Sequence, residues 1–125
     1  MKRTLFTAIA AMTIFGGGVL FGVGRYSKPK TLVHIVTVRW KATSTPEQQK
    51  AALDGVEKMA AAIPGVKSVW TKTVKVQGDN YNAVFAMEFE SMEAFKLYAD
   101  HAAHREWEKT YTLIRDQSTT HDVTN

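Results

Sequence analysis

Apolar positions recur along this chain at two spacings, and the switches between them mark out its elements. Thr31 to Trp40 is rich in β-branched residues and reads as a strand. Leu32, His34, Val36, Val38 and Trp40 fall on one face, and Val33, Ile35, Thr37 and Arg39 on the other. Both faces are mostly apolar, which predicts burial on both sides. Thr45-Pro46-Glu47-Gln48 is a helix start, with Thr as cap, Pro first and Gln three after the cap. Ala52, Leu53, Val56, Met59, Ala60 and Ile63 then recur at helical spacing, and Pro64-Gly65 closes the helix.

Val66 to Gln77 predicts a second strand, with Val66, Trp70, Val74 and Val76 on one side. Gly78-Asp79-Asn80 is a turn. Tyr81 to Glu90 predicts a third strand, antiparallel to the second by its short connection. Tyr81, Ala83, Phe85, Met87 and Phe89 share one of its faces. Ser91 caps a second helix, with Glu93 in its first turn. Helical spacing continues to about Arg115, with a break near His101 to Ala103. Gln117 to Val123 is a polar candidate for a last strand.

The order strand, helix, strand, strand, helix, strand is the ferredoxin-like (βαββαβ) arrangement of an α+β domain. Helices would cover one face of the sheet and leave an apolar opposite face bare. Two such sheets packed face to face about a two-fold axis solve this, so the pattern predicts a homodimer.

Residues 1–30 follow a different rule. After Lys2 and Arg3, the 20 residues from Leu5 to Gly24 carry no charge. As a helix they would span roughly 30 Å, about the hydrocarbon core of a bilayer. Arg25, Lys28 and Lys30 close the segment. Two readings stay open: an uncleaved membrane anchor, or a signal peptide cut after Gly22-Val-Gly24. Both point to the cell envelope, with the domain, residues 31–125, expected outside the cytoplasmic membrane, although basic residues at both ends of the segment leave its topology open.

Charge changes the picture once the two parts are separated. The net charge of +4 comes from residues 1–30, which hold five of the 16 Lys and Arg and none of the 12 Asp and Glu. Residues 31–125 carry 11 basic against 12 acidic side chains and no basic stripe, which removes support for nucleic-acid binding. With no cysteine there is neither a disulfide nor thiol catalysis. No phosphate loop, dinucleotide fingerprint or Ser-His-Asp signature occurs, and no cofactor is expected.

The chemistry concentrates in Tyr98-Ala-Asp-His101-Ala-Ala-His104, which holds two of the four histidines. His104 shares the apolar stripe of Trp107 and Tyr111, and an imidazole with a pKa near ~6.5 suits proton transfer. His34, between Leu32 and Val36 on its strand face, needs a partner for its ring nitrogens. A satisfied core histidine is the competing reading for both. His101, His104 and Glu108 at i, i+3 and i+7 would offer three metal ligands. No orienting residues accompany them, and no metal is assigned. His121 lies among polar residues and reads as solvated, and the three tryptophans read as core or interface anchors.

Four segments in order resemble the stress-responsive α/β-barrel (Dabb) family of the dimeric α+β barrel superfamily. They are Val33-His34-Ile35-Val36, Ile63-Pro64-Gly65-Val66, Phe89-Glu90-Ser91 and Tyr98…His101-Ala-Ala-His104. The resemblance implies a dimeric barrel. It also implies, from plant members that are aromatic polyketide cyclases, an acid/base pair of Tyr98 and His104 with His34 in the same pocket. Two departures stand out. Ala102 replaces the family's proline, and Ala52 and Leu53 stand where a cyclase pocket carries bulkier aromatics. In a straight helix Tyr98 and His104 would lie about 120° apart, so the pair requires a break that alanine does not impose.

Three functions stay open. One is a module holding a small apolar or aromatic ligand between sheet and helices, lined by Leu32, Val36, Ala52, Leu53, Val56, Ala60, His101 and Trp107. The second is a cofactor-independent enzyme, a cyclase or isomerase, with Tyr98 and His104 as its acid/base pair. The third is a purely structural dimer.

Overall fold

A computed structural model describes Gly24 and residues 26–125. The proposed anchor or signal falls almost wholly outside these residues. Among the described residues no helix is long and apolar enough to cross a membrane.

The elements run β1 (Leu32–Trp40), α1 (Pro46–Ala62), β2 (Val66–Trp70), β3 (Ala83–Phe89), α2 (Met92–Tyr98), α3 (Ala102–Ile114) and β4 (Arg115–Val123). The strands form one antiparallel sheet in the order β2-β3-β1-β4. This is the ferredoxin-like α+β fold, with the helices on one face. The core lies between, built on Val36, Val38, Phe85, Met87 and Phe89 from the sheet and Val56, Met59, Trp107 and Tyr111 from the helices.

β1 is buried on one face only. Leu32, His34, Val36, Val38 and Trp40 are buried, whereas Val33, Ile35, Thr37 and Arg39 are half-buried. Burial on both sides, predicted from the composition, is therefore not reached within one chain. Trp70 points the same lesson: it is no core residue but 52% exposed, while Trp40 and Trp107 are buried.

α1 begins as its sequence dictates. The Thr45 hydroxyl accepts from the Gln48 N–H at 3.2 Å, and the Gln48 side chain accepts from the Thr45 N–H at 2.9 Å. Gly65 ends the connection with φ 87°, and a Cβ there would lie 2.5 Å from that of Ala94. Only glycine satisfies both conditions.

β2 stops at Trp70 instead of reaching Gln77, and Val74 is left exposed. The cause is Thr73. Its hydroxyl accepts from the Val84 N–H at 2.9 Å and donates to the Val84 carbonyl at 3.0 Å, taking the place of a ladder pair. Tyr81 also leaves the expected face. It precedes β3, and its hydroxyl bonds the Thr119 hydroxyl, opposite Thr37 on the face away from the helices.

β4 is longer than expected and is an edge strand, which accounts for its polarity. His121 is exposed there, opposite Ile35.

Candidate functional site

The break between the last two helices forms without proline. His101 is the N-cap of α3, and its Nδ1 accepts from the Ala103 N–H at 3.1 Å. Its backbone, at φ −67° and ψ 139°, turns the chain. The ring is thus used locally and does not line the cavity described below. Among the described residues no group of three His, Asp or Glu could hold a metal ion.

This turn brings Tyr98, the last residue of α2, against His104 in the first turn of α3. Their ring centroids are 4.3 Å apart. No hydrogen bond joins them, and the Tyr98 hydroxyl makes none among the described residues. His104 Nδ1 lies 3.0 Å from the Ala99 carbonyl. A carbonyl only accepts, so in the neutral ring Nδ1 carries the proton and Nε2 keeps its lone pair. Nε2 is 3.8 Å from a Glu108 carboxylate oxygen.

His34 approaches from the sheet below. It is 8% exposed, and its Nδ1 meets Asp122 Oδ1 at 2.5 Å. The two residues are register partners on β1 and β4. The His34 ring centroid is 5.7 Å from that of Tyr98 and 5.3 Å from that of Phe95.

These groups line a half-open cavity of about 100 Å³ between sheet and α3. His34, Val36, Phe85, Tyr98, His104, Trp107, Glu108, Tyr111, Arg115, Ser118 and Thr120 form its walls. Tyr98, His104, His34, Val36 and Trp107, singled out from the sequence, therefore meet at one place. The other expected lining residues do not. Leu32, Ala52 and Val56 are buried in the core, and Leu53 and Ala60 pack against it. α1 is kept from the cavity by Trp107, whose indole N–H donates to the Ala52 carbonyl at 2.8 Å. Gly55 admits it: a Cβ there would lie 2.8 Å from the indole ring.

Burial pushes the Tyr98 phenol well above the usual tyrosine range, with the negative charges of Glu108 and Asp122 adding to the effect. Burial also raises Tyr111, although Ser118 and Arg115 nearby favour its anion. Both hydroxyls thus hold their protons at neutral pH.

Phe85, Glu108, Tyr111, Arg115, Ser118 and Thr120 were not anticipated. Glu108 and Tyr111 share the helical stripe of His104, four and seven residues on, and that periodicity was the signal available. Ser118 and Thr120 come from β4, whose face depends on long-range pairing with β1.

A four-stranded antiparallel sheet with a polar cavity beneath its helical layer defines an α+β protein of ferredoxin-like fold. The chain belongs to the stress responsive A/B barrel domain (Dabb) family, whose model matches residues 32–125. No curated protein matches it. Among solved structures it is similar to a dimeric ferredoxin-like protein of unknown function from Thermobifida fusca. That likeness has a TM-score of 0.67 and 23% identity, and covers 80% of this chain and 95% of that one. It is similar to the Arabidopsis thaliana protein At3g17210, with a TM-score of 0.68 and 25% identity over 75% of this chain and 94% of that one. It is also similar to the hydroxynitrile lyase of Passiflora edulis, with a TM-score of 0.67 and 16% identity over 76% of this chain and 93% of that one.

Proposed function

We propose that the cavity is a cofactor-independent acid/base site for a small carbonyl compound, in a domain that works as a homodimer. The observation that carries this reading is the contact of His104 Nδ1 with the Ala99 carbonyl, which selects the ring tautomer. With its Nδ1 proton engaged by Ala99, Nε2 is left as a base at the cavity, in ring contact with a protonated tyrosine.

In this reading His104 Nε2 takes the proton from a carbon next to the substrate carbonyl. The Tyr98 hydroxyl donates to the oxygen on which negative charge develops. Glu108 stabilises the imidazolium that results, and Asp122 holds His34 in orientation at the cavity wall. The volume favours a small ligand. At about 100 Å³ the cavity is smaller than the ~150 Å³ that accommodates benzene, so an aromatic compound would have to open it. One protein of similar fold is a hydroxynitrile lyase, so the fold can carry an enzyme site.

The homodimer reading rests on the bare sheet face. Val33, Ile35, Trp70, Val84 and Ala86 line an apolar depression there, and the Thermobifida fusca neighbour is dimeric. Placement in the cell envelope rests on the pattern of residues 1–30 alone, and membrane fractionation in the host tests it.

Holding a ligand without turnover is the second reading. It is favoured by the lack of a direct hydrogen bond between Tyr98 and His104, which leaves acid and base uncoupled. Deuterium exchange at the α-carbon of small ketones and keto acids, followed by NMR in D₂O, separates the two. Turnover chemistry requires the full-length protein to exceed buffer, and requires His104→Asn to lose roughly 10²–10⁴ of that rate. No acceleration with any compound of the series would leave the holding role or a purely structural one.

A further inference from the structure

The far end of the same cavity holds groups that the acid/base reading does not use. The Tyr111 hydroxyl is buried, the whole residue being 4% exposed, and among the described residues it makes no hydrogen bond, although Ser118 and Arg115 stand near it. A buried hydroxyl left unpaired is uncommon and asks for an occupant. Beside it stands Arg115, whose guanidinium lies over the Tyr111 ring at 5.3 Å from the centroid. Arg115 donates to the Ser118 hydroxyl at 3.3 Å, and among the described residues no carboxylate pairs with it. All three residues line the cavity.

We infer that Tyr111, Arg115 and Ser118 form an oxyanion-binding subsite, and that the cavity takes a small carboxylate rather than a neutral carbonyl compound. This rests on the reading of the cavity as a small-molecule site and names the substrate class. An unpaired guanidinium and two hydroxyls supply donors of the kind that grip a carboxylate. A carboxylate there satisfies the orphaned Tyr111 hydroxyl, which an apolar ligand leaves unpaired. The two polar ends are set by α3: His104 and Tyr111 are seven residues apart, roughly 10 Å along the axis before their side chains converge. A short keto acid has its carboxylate at the Arg115 end and its carbonyl toward Tyr98. Glu108, also in the wall, lies 3.8 Å from His104 Nε2, and its charge is felt at Tyr111 as well, so Arg115 must offset it for an anion to bind.

The test compares pyruvate with pyruvamide, which has the same shape and no charge. Binding to the full-length protein is measured by NMR titration, with no turnover required. Pyruvate is expected to bind at least tenfold more tightly. Arg115→Met is expected to remove that preference, bringing pyruvate affinity down to that of pyruvamide, with an unchanged melting temperature reporting that the fold is intact. Tyr111→Phe is expected to weaken pyruvate binding yet raise the melting temperature of the empty protein, since it removes an unpaired buried hydroxyl. Equal binding of the two probes, or a preference that survives Arg115→Met, overturns the subsite and leaves the acid/base reading standing. Failure of both probes to bind overturns the subsite and the small-molecule reading together. Loss of α-proton exchange alone would remove the acid/base role without touching the subsite.

Discussion

His104 donates from Nδ1 to the carbonyl of Ala99, 3.0 Å away across the break between α2 and α3. One hydrogen bond thus performs two tasks. It ties the two helices together at the turn, and it decides which ring nitrogen is free.

The two tasks separate under mutation. Asparagine places an amide N–H close to the position of Nδ1 but has nothing at Nε2. His104→Asn is therefore expected to remain within about 0.5 kcal/mol of the parent in urea unfolding, and His104→Ala to lose about 1–3 kcal/mol. Both are expected to lose α-proton exchange. Equal destabilisation by the two variants would show that the Ala99 bond contributes nothing.

Ala102→Pro is expected to stabilise the protein by about 0.4–1 kcal/mol. Ala102 is the first helical residue of α3, where proline is favoured, and its N–H makes no hydrogen bond among the described residues. The preceding His101 already has the extended backbone that a following proline demands. A fall in melting temperature would mean that the turn is held in a geometry proline cannot share.

Gly65→Ala is expected to destabilise by about 2–3 kcal/mol or more. The new methyl would meet the Ala94 Cβ at 2.5 Å, and the backbone sits at φ 87°, where alanine is strained. Gly78→Ala has the same kind of backbone, φ 83°, but nothing within 4 Å of its Cβ. Calorimetry of the two variants divides the steric effect from the conformational one, with Gly78→Ala expected to be the milder.

Stability is expected to fall as the pH rises above the ordinary tyrosine value of about 10. Tyr98 and Tyr111 ionise at higher pH folded than unfolded. Above pH ~10 the unfolded chain has lost protons that the folded one keeps, so rising pH favours unfolding. Tyr98→Phe is expected to flatten this alkaline slope in denaturant titrations, whatever it does to activity. An unchanged slope would show that the phenol is not shielded from water.

Trp70→Glu is expected to give a monomer in sedimentation experiments, because it places a charge in the bare apolar face of the sheet. Trp40→Phe, confined to the core, is expected to leave the assembly unchanged.

The fold was legible where residues act on near neighbours. The Thr45–Gln48 capping box, the Pro64-Gly65 exit and the Ser91 cap all depend on contacts within a few positions, and each places an element boundary. The break before α3 was legible for a different reason: Tyr98 and His104 can share a cavity only across one. What composition hid was its device, the His101 cap standing in for proline. The misreadings came from distant partners. β2 ends early because Thr73 bonds Val84, eleven residues on. β4 was expected over Gln117 to Val123 and begins two residues earlier, its edge position accounting for its polarity, but its register with β1 could not be read. Its contribution to the cavity, Ser118 and Thr120, was hidden with it, and so was the charged end that Arg115 supplies.

The pairing of His34 with Asp122 spans 88 residues of sequence. β1 lies inside the sheet, yet one of its edges waits for the last strand to be made. At about 5–20 residues per second of synthesis, that edge stays unpaired for roughly 4–18 s. The cavity therefore has no partial form, since its wall is a seam between the earliest and latest parts of the domain. Any ligand bound there is a reporter of finished folding, and it selects against every chain whose seam has not closed.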